Sequence, residues 1–157
     1  MDILRPWIEG RLWLDLYAGS GAVGIEALSR GAAGAVFVER CPQACRAIHH
    51  NLQVTGLVAR AEVCCEAAET AVARLLREGR RFDVVFADPP YGDAPRGEPE
   101  VTASLVELVG PGGLVVWQHP CKARSPAIPG MAGVRQCRYG ETCLSFFARQ
   151  EEGSPWP

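Results

Sequence analysis

Short apolar runs alternate with segments of helical periodicity along most of the chain. The runs predict seven strands, at residues 12–17, 35–39, 61–65, 83–88, 114–119, 134–139 and 143–149. The periodic segments between them predict four helices, at residues 22–30, 42–54, 67–77 and 101–109. Strands that alternate with helices indicate a mostly parallel sheet with helices on both faces. The pattern therefore predicts a doubly wound α/β fold whose last two strands form an antiparallel hairpin at the sheet edge.

Turn-forming residues mark where the elements end. Pro42 suits the first position of a helix, where its missing amide hydrogen costs nothing, and Gly56 suits the position after the last turn. The Pro-Gly-Gly sequence at residues 111–113 predicts a turn before the fifth strand. No linker divides the chain, so we expect one domain over residues 1–149 and a flexible tail over residues 150–157.

Composition and charge exclude several classes of protein. The 157 residues are 48% hydrophobic and 22% charged, which excludes a disordered or low-complexity chain. The formal net charge is −2, so no overall positive field attracts nucleic acid and any RNA contact needs a local patch. Two sets of basic residues are candidates, and each can equally be an ordinary solvated face. The sets are Arg74, Arg77, Arg80 and Arg81, and Lys122, Arg124, Arg135 and Arg138.

The cysteines and the first residues of the chain indicate where in the cell the protein is expected. The first residues carry no secretory signal pattern, and no apolar run approaches the roughly 18 residues that a membrane span needs. We therefore expect a cytoplasmic protein, not bound to a membrane, whose seven cysteines are reduced thiols. Cys41, Cys45 and His49 recur at helical spacing, but they lack a fourth ligand, so the pattern favours packing and we expect no metal.

A glycine-rich segment, Gly19-Ser20-Gly21-Ala22-Val23-Gly24, follows the first predicted strand and opens the first helix. Glycines at this spacing let the backbone approach a ligand closely, and Glu39, at the tip of the second strand, is placed to accept hydrogen bonds from ribose hydroxyls. The pattern indicates a cofactor that contains adenosine. Asp15, inside the first strand, favours S-adenosylmethionine over NAD, because a carboxylate suits ammonium and sulfonium charges and repels a pyrophosphate.

The sequence Asp88-Pro89-Pro90-Tyr91 follows the fourth predicted strand. Ligands of open α/β sheets bind beyond the carboxyl ends of the strands, so this turn faces the same crevice as the glycine loop. Two prolines fix the backbone and remove two amide donors, which leaves carbonyl acceptors. We expect Asp88 and the Pro89 carbonyl to accept the two N–H groups of an exocyclic amine, while Tyr91 stacks on the base. This arrangement would aim the nitrogen lone pair at a methyl group.

These motifs resemble the bacterial small-subunit rRNA guanine-N2 methyltransferases of the RsmD type. The similar stretches are residues 14–21, 24–31, 37–39, 51–52, 83–91 and 139–146, and the resemblance extends from residue 1 to about 149. It implies the Rossmann-like fold of class I S-adenosylmethionine-dependent methyltransferases and methylation of the N2 amine of a guanine in 16S rRNA. The implied partner is 16S rRNA or a small-subunit assembly particle, and we expect a monomer.

The resemblance also implies a set of site residues. The catalytic residues, which hold the guanine amine, are expected to be Asp88, Pro89, Pro90 and Tyr91. The cofactor-binding residues are expected to be Asp15, Ala18, Gly19, Ser20, Gly21, Glu39, Arg40, Glu66, Ala67 and Asp88. The chain departs from the family where Ala67 replaces an acidic residue after the third strand, with Glu66 and Glu69 as displaced substitutes. It departs again where Gln118 replaces a glutamate.

Three alternatives remain open. An adenine-N6 methyltransferase of DNA or RNA shares the proline-rich turn, although asparagine is usual where Asp88 stands. An NAD-dependent oxidoreductase would account for the glycine loop and Glu39 but not for the turn. A non-catalytic cofactor- or RNA-binding module is the third. It arises because the family carries an Arg-Pro-Thr motif and a β-hairpin ahead of the part that resembles residues 1–4, and we expect this segment to be missing here.

Overall fold

The computed structural model describes residues 2–90 and 98–149, which contain seven strands and four α-helices. The strands are β1 Leu12–Leu16, β2 Gly34–Val38, β3 Ala61–Cys64, β4 Phe82–Ala87, β5 Val109–Pro120, β6 Met131–Tyr139 and β7 Thr142–Arg149. The helices are α1 Ala22–Ser29, α2 Pro42–Thr55, α3 Ala68–Arg77 and α4 Glu98–Leu108. Two short 3-10 helices, Asp2–Trp7 and Val58–Arg60, are not indicated by the sequence pattern. Tyr91 and the tail expected at residues 150–157 lie outside the described residues.

The seven strands form one sheet in the order β3-β2-β1-β4-β5-β7-β6. Strands β1 to β5 run parallel to one another, whereas β7 runs antiparallel to both β5 and β6. The chain thus winds outward from β1 in both directions, which confirms the predicted doubly wound fold with an antiparallel C-terminal hairpin. The strand order reverses between β1 and β4, the point where open α/β sheets bind their ligands.

Helices cover both faces of the sheet because the central strands are apolar on both sides. Along β1, Leu14 and Leu16 pack in the core formed with α3 and α4, whereas Trp13 packs in the core formed with α1 and α2. Side chains alternate along a strand, so Asp15 shares the face of Trp13. Burial of both faces explains the nearly continuous apolar runs in the sequence.

The glycine-rich turn expected ahead of the fifth strand lies inside β5 instead. Phe82 pairs with Val109, but Val84 pairs with Leu114, so residues 110–113 bulge out between the two pairs. Hydrogen bonding to β4 resumes beyond the bulge. The chain does bend at the predicted turn. Because β4 pairs with residues on both sides of the bend, Val109–Pro120 is nevertheless one strand.

Cys121 and Cys143 form a disulfide with 5.0 Å between their Cα atoms, so the expectation of seven reduced thiols is wrong for these two. Pairing of β5 with β7 places Pro120 opposite Thr142, and the Cys121 amide donates to the Glu141 carbonyl at 2.8 Å. These contacts bring the two cysteines to an ordinary Cα separation for a disulfide. The free cysteines of the described residues are Cys41, Cys45, Cys64, Cys65 and Cys137.

Candidate active site

The backbone turns sharply between β1 and α1. Tyr17, Gly19 and Gly21 have positive φ angles of 58°, 58° and 83°. Glycine adopts this conformation without strain, whereas Tyr17 is the one non-glycine residue with positive φ in the described part of the chain. Asn51 of α2 donates its side-chain amide to the Ser20 carbonyl at 3.1 Å. The glycine loop is thus held from α2 as well as from the strand.

Asp15 caps α1 from the strand that lies below it. Its side chain is 2% exposed, and Oδ2 accepts a hydrogen bond from the Gly24 amide at 3.1 Å. That amide belongs to the first turn of α1, whose N-cap residue, Gly21, provides no side-chain hydrogen bond. Gly24 also sets the distance between helix and sheet, because an added Cβ would lie 2.4 Å from Cε1 of Phe37.

The environment of Asp15 is strongly electronegative. Burial raises the pKa of Asp15 to about 7, and the hydrogen bond from Gly24 opposes this only in part. The negative charges of Asp88 and Glu39 raise the pKa further. Three carboxylates therefore lie near the carboxyl ends of β1, β2 and β4, and a cation bound among them would favour the ionised form of Asp15.

Glu39 joins the glycine loop to the start of α2. Its Oε2 accepts a hydrogen bond from the Gly19 amide at 3.0 Å, and its Oε1 accepts one from the Cys41 amide at 3.2 Å. The Ala18 amide donates to the Val38 carbonyl at 2.9 Å, so the loop stays bonded to β2 beyond the end of β1. Each carboxylate oxygen has two acceptor sites, so each oxygen of Glu39 retains one for a ligand hydroxyl.

The proline-rich turn follows β4 directly. The Asp88 amide donates to the Leu16 carbonyl at 3.4 Å, which ties the turn to the end of β1. Asp88 is half-buried, Pro89 is buried and Pro90 is exposed. Neither proline has an amide hydrogen, so the backbone here presents carbonyl acceptors rather than donors.

A cavity of about 490 Å³ opens at the carboxyl ends of the parallel strands, within the size range of small-molecule sites. Its lining residues are Tyr17, Val38, Glu39, Arg40, Cys41, Glu66, Ala67, Ala68, Glu69, Asp88 and Pro90. Four of these carry a carboxylate, one of which, Glu66, is paired with Arg74 at 2.6 Å, and Arg40 is the one basic residue in the described lining. The cavity is therefore electronegative.

The chemistry of this cavity suits a cationic ligand that carries hydroxyl groups. Carboxylates attract ammonium and sulfonium charges, whereas a pyrophosphate among four carboxylates would be repelled. Glu39 keeps acceptor sites for ribose hydroxyls. S-adenosylmethionine combines a ribose with both positive charges, so the residues present fit this cofactor and oppose NAD.

Comparison with known proteins agrees with this chemistry. A family model described as Conserved hypothetical protein 95 matches residues 1–148. The ribosomal RNA small subunit methyltransferase D of Escherichia coli is 31% identical over 154 residues, which cover 96% of this chain and 74% of the relative. The chain belongs to the RsmD family.

Two solved structures resemble this RsmD-family chain over most of their length. A conserved hypothetical protein of Streptococcus pyogenes has a TM-score of 0.81 at 30% identity, covering 95% of this chain and 94% of the other. A hypothetical protein of Thermus thermophilus has a TM-score of 0.77 at 37% identity, covering 92% and 80%. Family membership confirms the predicted resemblance and, with it, S-adenosylmethionine as the cofactor. It decides against an NAD-dependent oxidoreductase.

The structure brings part of the predicted RsmD-type site into the cavity. The predicted cofactor-binding residues that line it are Glu39, Arg40, Glu66, Ala67 and Asp88. The remaining five, Asp15, Ala18, Gly19, Ser20 and Gly21, form the adjoining loop and its support. Pro90 lines the cavity, Pro89 is buried, and Tyr91 lies outside the described residues. The contacts of these residues with a ligand stay predictions.

Tyr17 also lines the cavity, although the sequence motifs did not predict it as a site residue. Burial raises the pKa of Tyr17 to about 12, with smaller contributions from Glu98 and Glu69, so the hydroxyl stays protonated at neutral pH. Its place directly before the glycine loop is the signal that could have identified it. Glu66 and Glu69 both line the cavity, so both displaced carboxylates after the third strand reach the site.

Two features considered from the sequence are absent from the described residues. In residues 2–90 and 98–149, no group of three or more His, Cys, Asp or Glu side chains is arranged to hold a metal ion. Cys45 is buried and its thiol donates to the Glu39 carbonyl at 3.1 Å, whereas Cys41 and His49 are exposed. Over the same residues, none of the helices combines the length and the apolar character that a membrane span requires.

We expect the affinity for S-adenosylmethionine to rise about tenfold between pH 6 and pH 8. Asp15, with a pKa of about 7, is mostly protonated at the lower pH and ionised at the higher one. A bound cation favours the ionised form, so binding releases a proton at low pH, and affinity is lost as the pH falls through the pKa. Calorimetric titrations in buffers of different ionisation enthalpy measure both the affinity and the proton release.

Two variants show whether Asp15 is the group whose ionisation causes this pH dependence. Asp15→Asn removes the carboxyl, so its cofactor affinity should be nearly constant over the same pH range. Asp83→Asn alters a half-buried carboxylate at the opposite end of the sheet and should keep the wild-type pH dependence. A wild-type profile in Asp15→Asn would mean that another group titrates.

Proposed function

We propose that this protein transfers the methyl group of S-adenosylmethionine to the exocyclic N2 amine of a guanine in 16S rRNA. Family membership supports the broader activity of an S-adenosylmethionine-dependent rRNA methyltransferase. The guanine N2 target is our proposal. We further propose that residues 1–149 form one domain that acts as a cytoplasmic monomer, without a metal, on 16S rRNA or a small-subunit assembly particle.

The observation that carries the proposal is the turn of Asp88, Pro89 and Pro90 at an electronegative cavity. An ionised carboxylate and a proline carbonyl accept hydrogen bonds and donate none. An exocyclic amine with two N–H groups satisfies such acceptors. A carbonyl oxygen or an unprotonated ring nitrogen does not, because it needs a donor.

The first residue of the turn favours guanine over adenine. Guanine presents an N1–H donor beside its N2 amine, so one carboxylate of Asp88 can accept from both. Adenine presents an N1 acceptor beside its N6 amine, and this lone pair would face the carboxylate. The side chain of asparagine has an N–H donor for that acceptor, which Asp88 lacks. The aspartate therefore supports N2 of guanine as the target.

The protein's part in the reaction is mainly positioning. S-adenosylmethionine, when bound, would supply a methyl group on a positively charged sulfur, which would keep the electron pair of the broken C–S bond and leave as a neutral thioether. Asp88 and the Pro89 carbonyl hold the amine so that its lone pair is directed at the methyl carbon, and orientation of this kind supplies about 7–11 kcal/mol. As the nitrogen gains positive charge, the Asp88 carboxylate stabilises it and accepts its proton or passes it to water.

A methylation assay tests the proposal directly. The protein is incubated with methyl-labelled S-adenosylmethionine and, separately, with naked 16S rRNA, small-subunit particles and DNA, and the nucleosides are separated after digestion. We expect N2-methylguanosine from at least one RNA substrate. N6-methyladenosine would make the base assignment wrong. Cofactor binding without transfer to any substrate would favour the non-catalytic module.

A further inference from the structure

We propose that a basic surface at the tip of the β6–β7 hairpin binds the phosphate backbone of the RNA beside the target base. This hairpin surface consists of the exposed residues Arg138 and Tyr139, at the end of β6, and Lys122 and Arg124, in the segment after β5. Arg138 and Tyr139 are consecutive in a strand, so their side chains leave opposite faces of the hairpin and the surface surrounds its tip. The inference rests on the proposed function, because it assigns the RNA-contacting surface of the same active site.

Cofactor and RNA approach the site over different halves of the sheet. Glu39 and Glu66, which line the cavity, follow β2 and β3, so the cofactor occupies the half that contains these strands. Asp88 follows β4, on the other side of the point where the strand order reverses. A base held by Asp88 therefore carries its flanking nucleotides over β5, β7 and β6.

The hairpin surface stands at the same edge of the sheet as the end of β4. Ala87 of β4 pairs with Trp117 of β5, which pairs with Ser145 of β7, which pairs with Gln136 of β6. Gln136 lies three residues before Tyr139. From the strand spacing and rise, Tyr139 is displaced by about 14 Å across the sheet from β4 and by about 10 Å beyond the level of Ala87. This position lies beside the path of an RNA strand that leaves the catalytic turn.

Among residues 2–90 and 98–149, no carboxylate forms an ion pair with the hairpin surface. Within the described ranges, Lys122, Arg124 and Arg138 take part in none of the ion pairs. Arg138 donates from Nε to the Gly140 carbonyl at 2.8 Å, and the neighbouring Glu141 is exposed. The guanidinium and ammonium groups keep donors for phosphate oxygens, which they bind through charge-assisted hydrogen bonds.

The other basic set predicted from the sequence is partly neutralised by carboxylates, and two of its four arginines lie at the opposite edge of the sheet. Arg74 pairs with Glu66 at 2.6 Å, and Arg80 pairs with Glu62 at 2.9 Å. Arg80 and Arg81 lie next to the start of β4, and the starts of the parallel strands lie at the edge of the sheet opposite the active site. Arg74 lies nearer to the cavity, but its guanidinium is paired with Glu66, which lines the cavity. The hairpin surface takes Lys122, Arg124 and Arg138 from the second predicted set, leaves out Arg135 and adds Tyr139, and it lies at the end of the sheet that holds the active site.

Local contacts hold the hairpin surface in one arrangement. The disulfide between Cys121 and Cys143, with the hydrogen bond from the Cys121 amide to the Glu141 carbonyl, fixes the segment that carries Lys122 against the hairpin. Tyr139 is 54% exposed, and an exposed aromatic ring provides a stacking platform for an unpaired base. A surface that is formed in advance loses less conformational freedom on binding.

The test measures the binding of the full chain to a fluorescent single-stranded RNA by anisotropy, over a range of salt concentrations. The triple variant Lys122→Ala, Arg124→Ala, Arg138→Ala should bind about 10- to 100-fold more weakly. Its slope of log affinity against log salt should be shallower by about 2, because each phosphate contact on a single strand contributes about 0.7. Tyr139→Ala should weaken binding about fivefold, whereas Tyr139→Phe should not.

A double variant from the other basic set, Arg77→Ala with Arg81→Ala, serves as the matched control and should change neither affinity nor slope. Cofactor affinity and melting temperature verify that each variant is folded. A triple variant with wild-type affinity and slope overturns the inference, whatever the methylation assay gives. Loss of methylation on particles with unchanged RNA affinity also overturns it, since the surface would then contact a ribosomal protein. If the wild type binds RNA through this surface but transfers no methyl group, the proposed function fails and the inference stands.

Discussion

Replacing Asp88 by alanine is expected to lower the rate constant of methyl transfer about a thousandfold and to weaken cofactor binding by no more than about fivefold. The Asp88 carboxylate lines the cavity, where it is proposed to orient the amine and to counter the charge that develops on nitrogen. Cofactor binding depends less on it, because Glu39 and Glu66 line the same cavity. Single-turnover methylation at saturating RNA and calorimetric titration with cofactor measure the two quantities separately.

Asp83→Asn is the matched control for this experiment, because both aspartates belong to the β4 region but lie at opposite ends of the strand. Asp83 Oδ2 accepts a hydrogen bond from the Leu12 amide at 2.8 Å, and its Oδ1 lies 3.8 Å from Arg11. The variant loses a partly exposed ion pair worth less than about 1 kcal/mol, far from the catalytic turn, so its transfer rate should equal that of the wild type. An Asp88→Ala protein that kept the wild-type rate would refute the positioning role.

Gly24→Ala is expected to lower the free energy of unfolding by about 2–3 kcal/mol and the melting temperature by about 5–10 °C. The added Cβ would lie 2.4 Å from Cε1 and 2.7 Å from Cζ of Phe37, whose ring is fully buried. Alanine usually stabilises a helix relative to glycine by about 1 kcal/mol, but the overlap with a buried ring outweighs this gain. As α1 shifts, the hydrogen bond from Gly24 to Asp15 lengthens, so cofactor affinity should fall as well.

Two further variants show whether the contact with Phe37 is the cause. Gly133→Ala adds a methyl group whose nearest neighbour, Cε1 of Phe147 in β7, lies 3.9 Å away. The stability of this variant should therefore stay within about 0.5 kcal/mol of the wild type. Phe37→Leu in the Gly24→Ala background should recover part of the lost stability. Thermal unfolding of Gly24→Ala, Phe37→Leu and the double variant gives the coupling energy between these two positions. Stability losses that simply add would show that the contact is not the cause.

The sequence predicts strands β1 to β4 within about one residue at each end, because their apolar runs are bounded by polar or turn-forming residues. The beginning of β5 could not be predicted in this way. Pro111 and the glycines that follow it are a local turn signal, but pairing of Val109 with Phe82 is decided by β4, which is distant in the sequence. The extent of a strand depends on its neighbours, and the sequence alone does not show them.

In the candidate site, too, contiguous motifs could be predicted from the sequence, whereas contacts between distant residues could not. The glycine loop and the turn at Asp88 are contiguous motifs, so the sequence reveals them. Asp15 lies in a strand that is buried on both faces, so its position below α1 could not be deduced from alternation alone. The pairing of Arg80 with Glu62 and the Cys121–Cys143 disulfide join residues that are distant in the sequence.

The position of β7 has a consequence for the order in which the chain assembles. β7 follows β6 in the sequence but lies between β5 and β6 in the sheet. During synthesis, β5 and β6 cannot be joined until Thr142–Arg149 leaves the ribosome, and Cys121 has no disulfide partner until Cys143, 22 residues later, is available. We expect a nascent chain that stops before β7 to expose the unpaired edge of β5, which is a site of aggregation. The cofactor half of the sheet can therefore form early, whereas the half proposed to meet RNA is completed last.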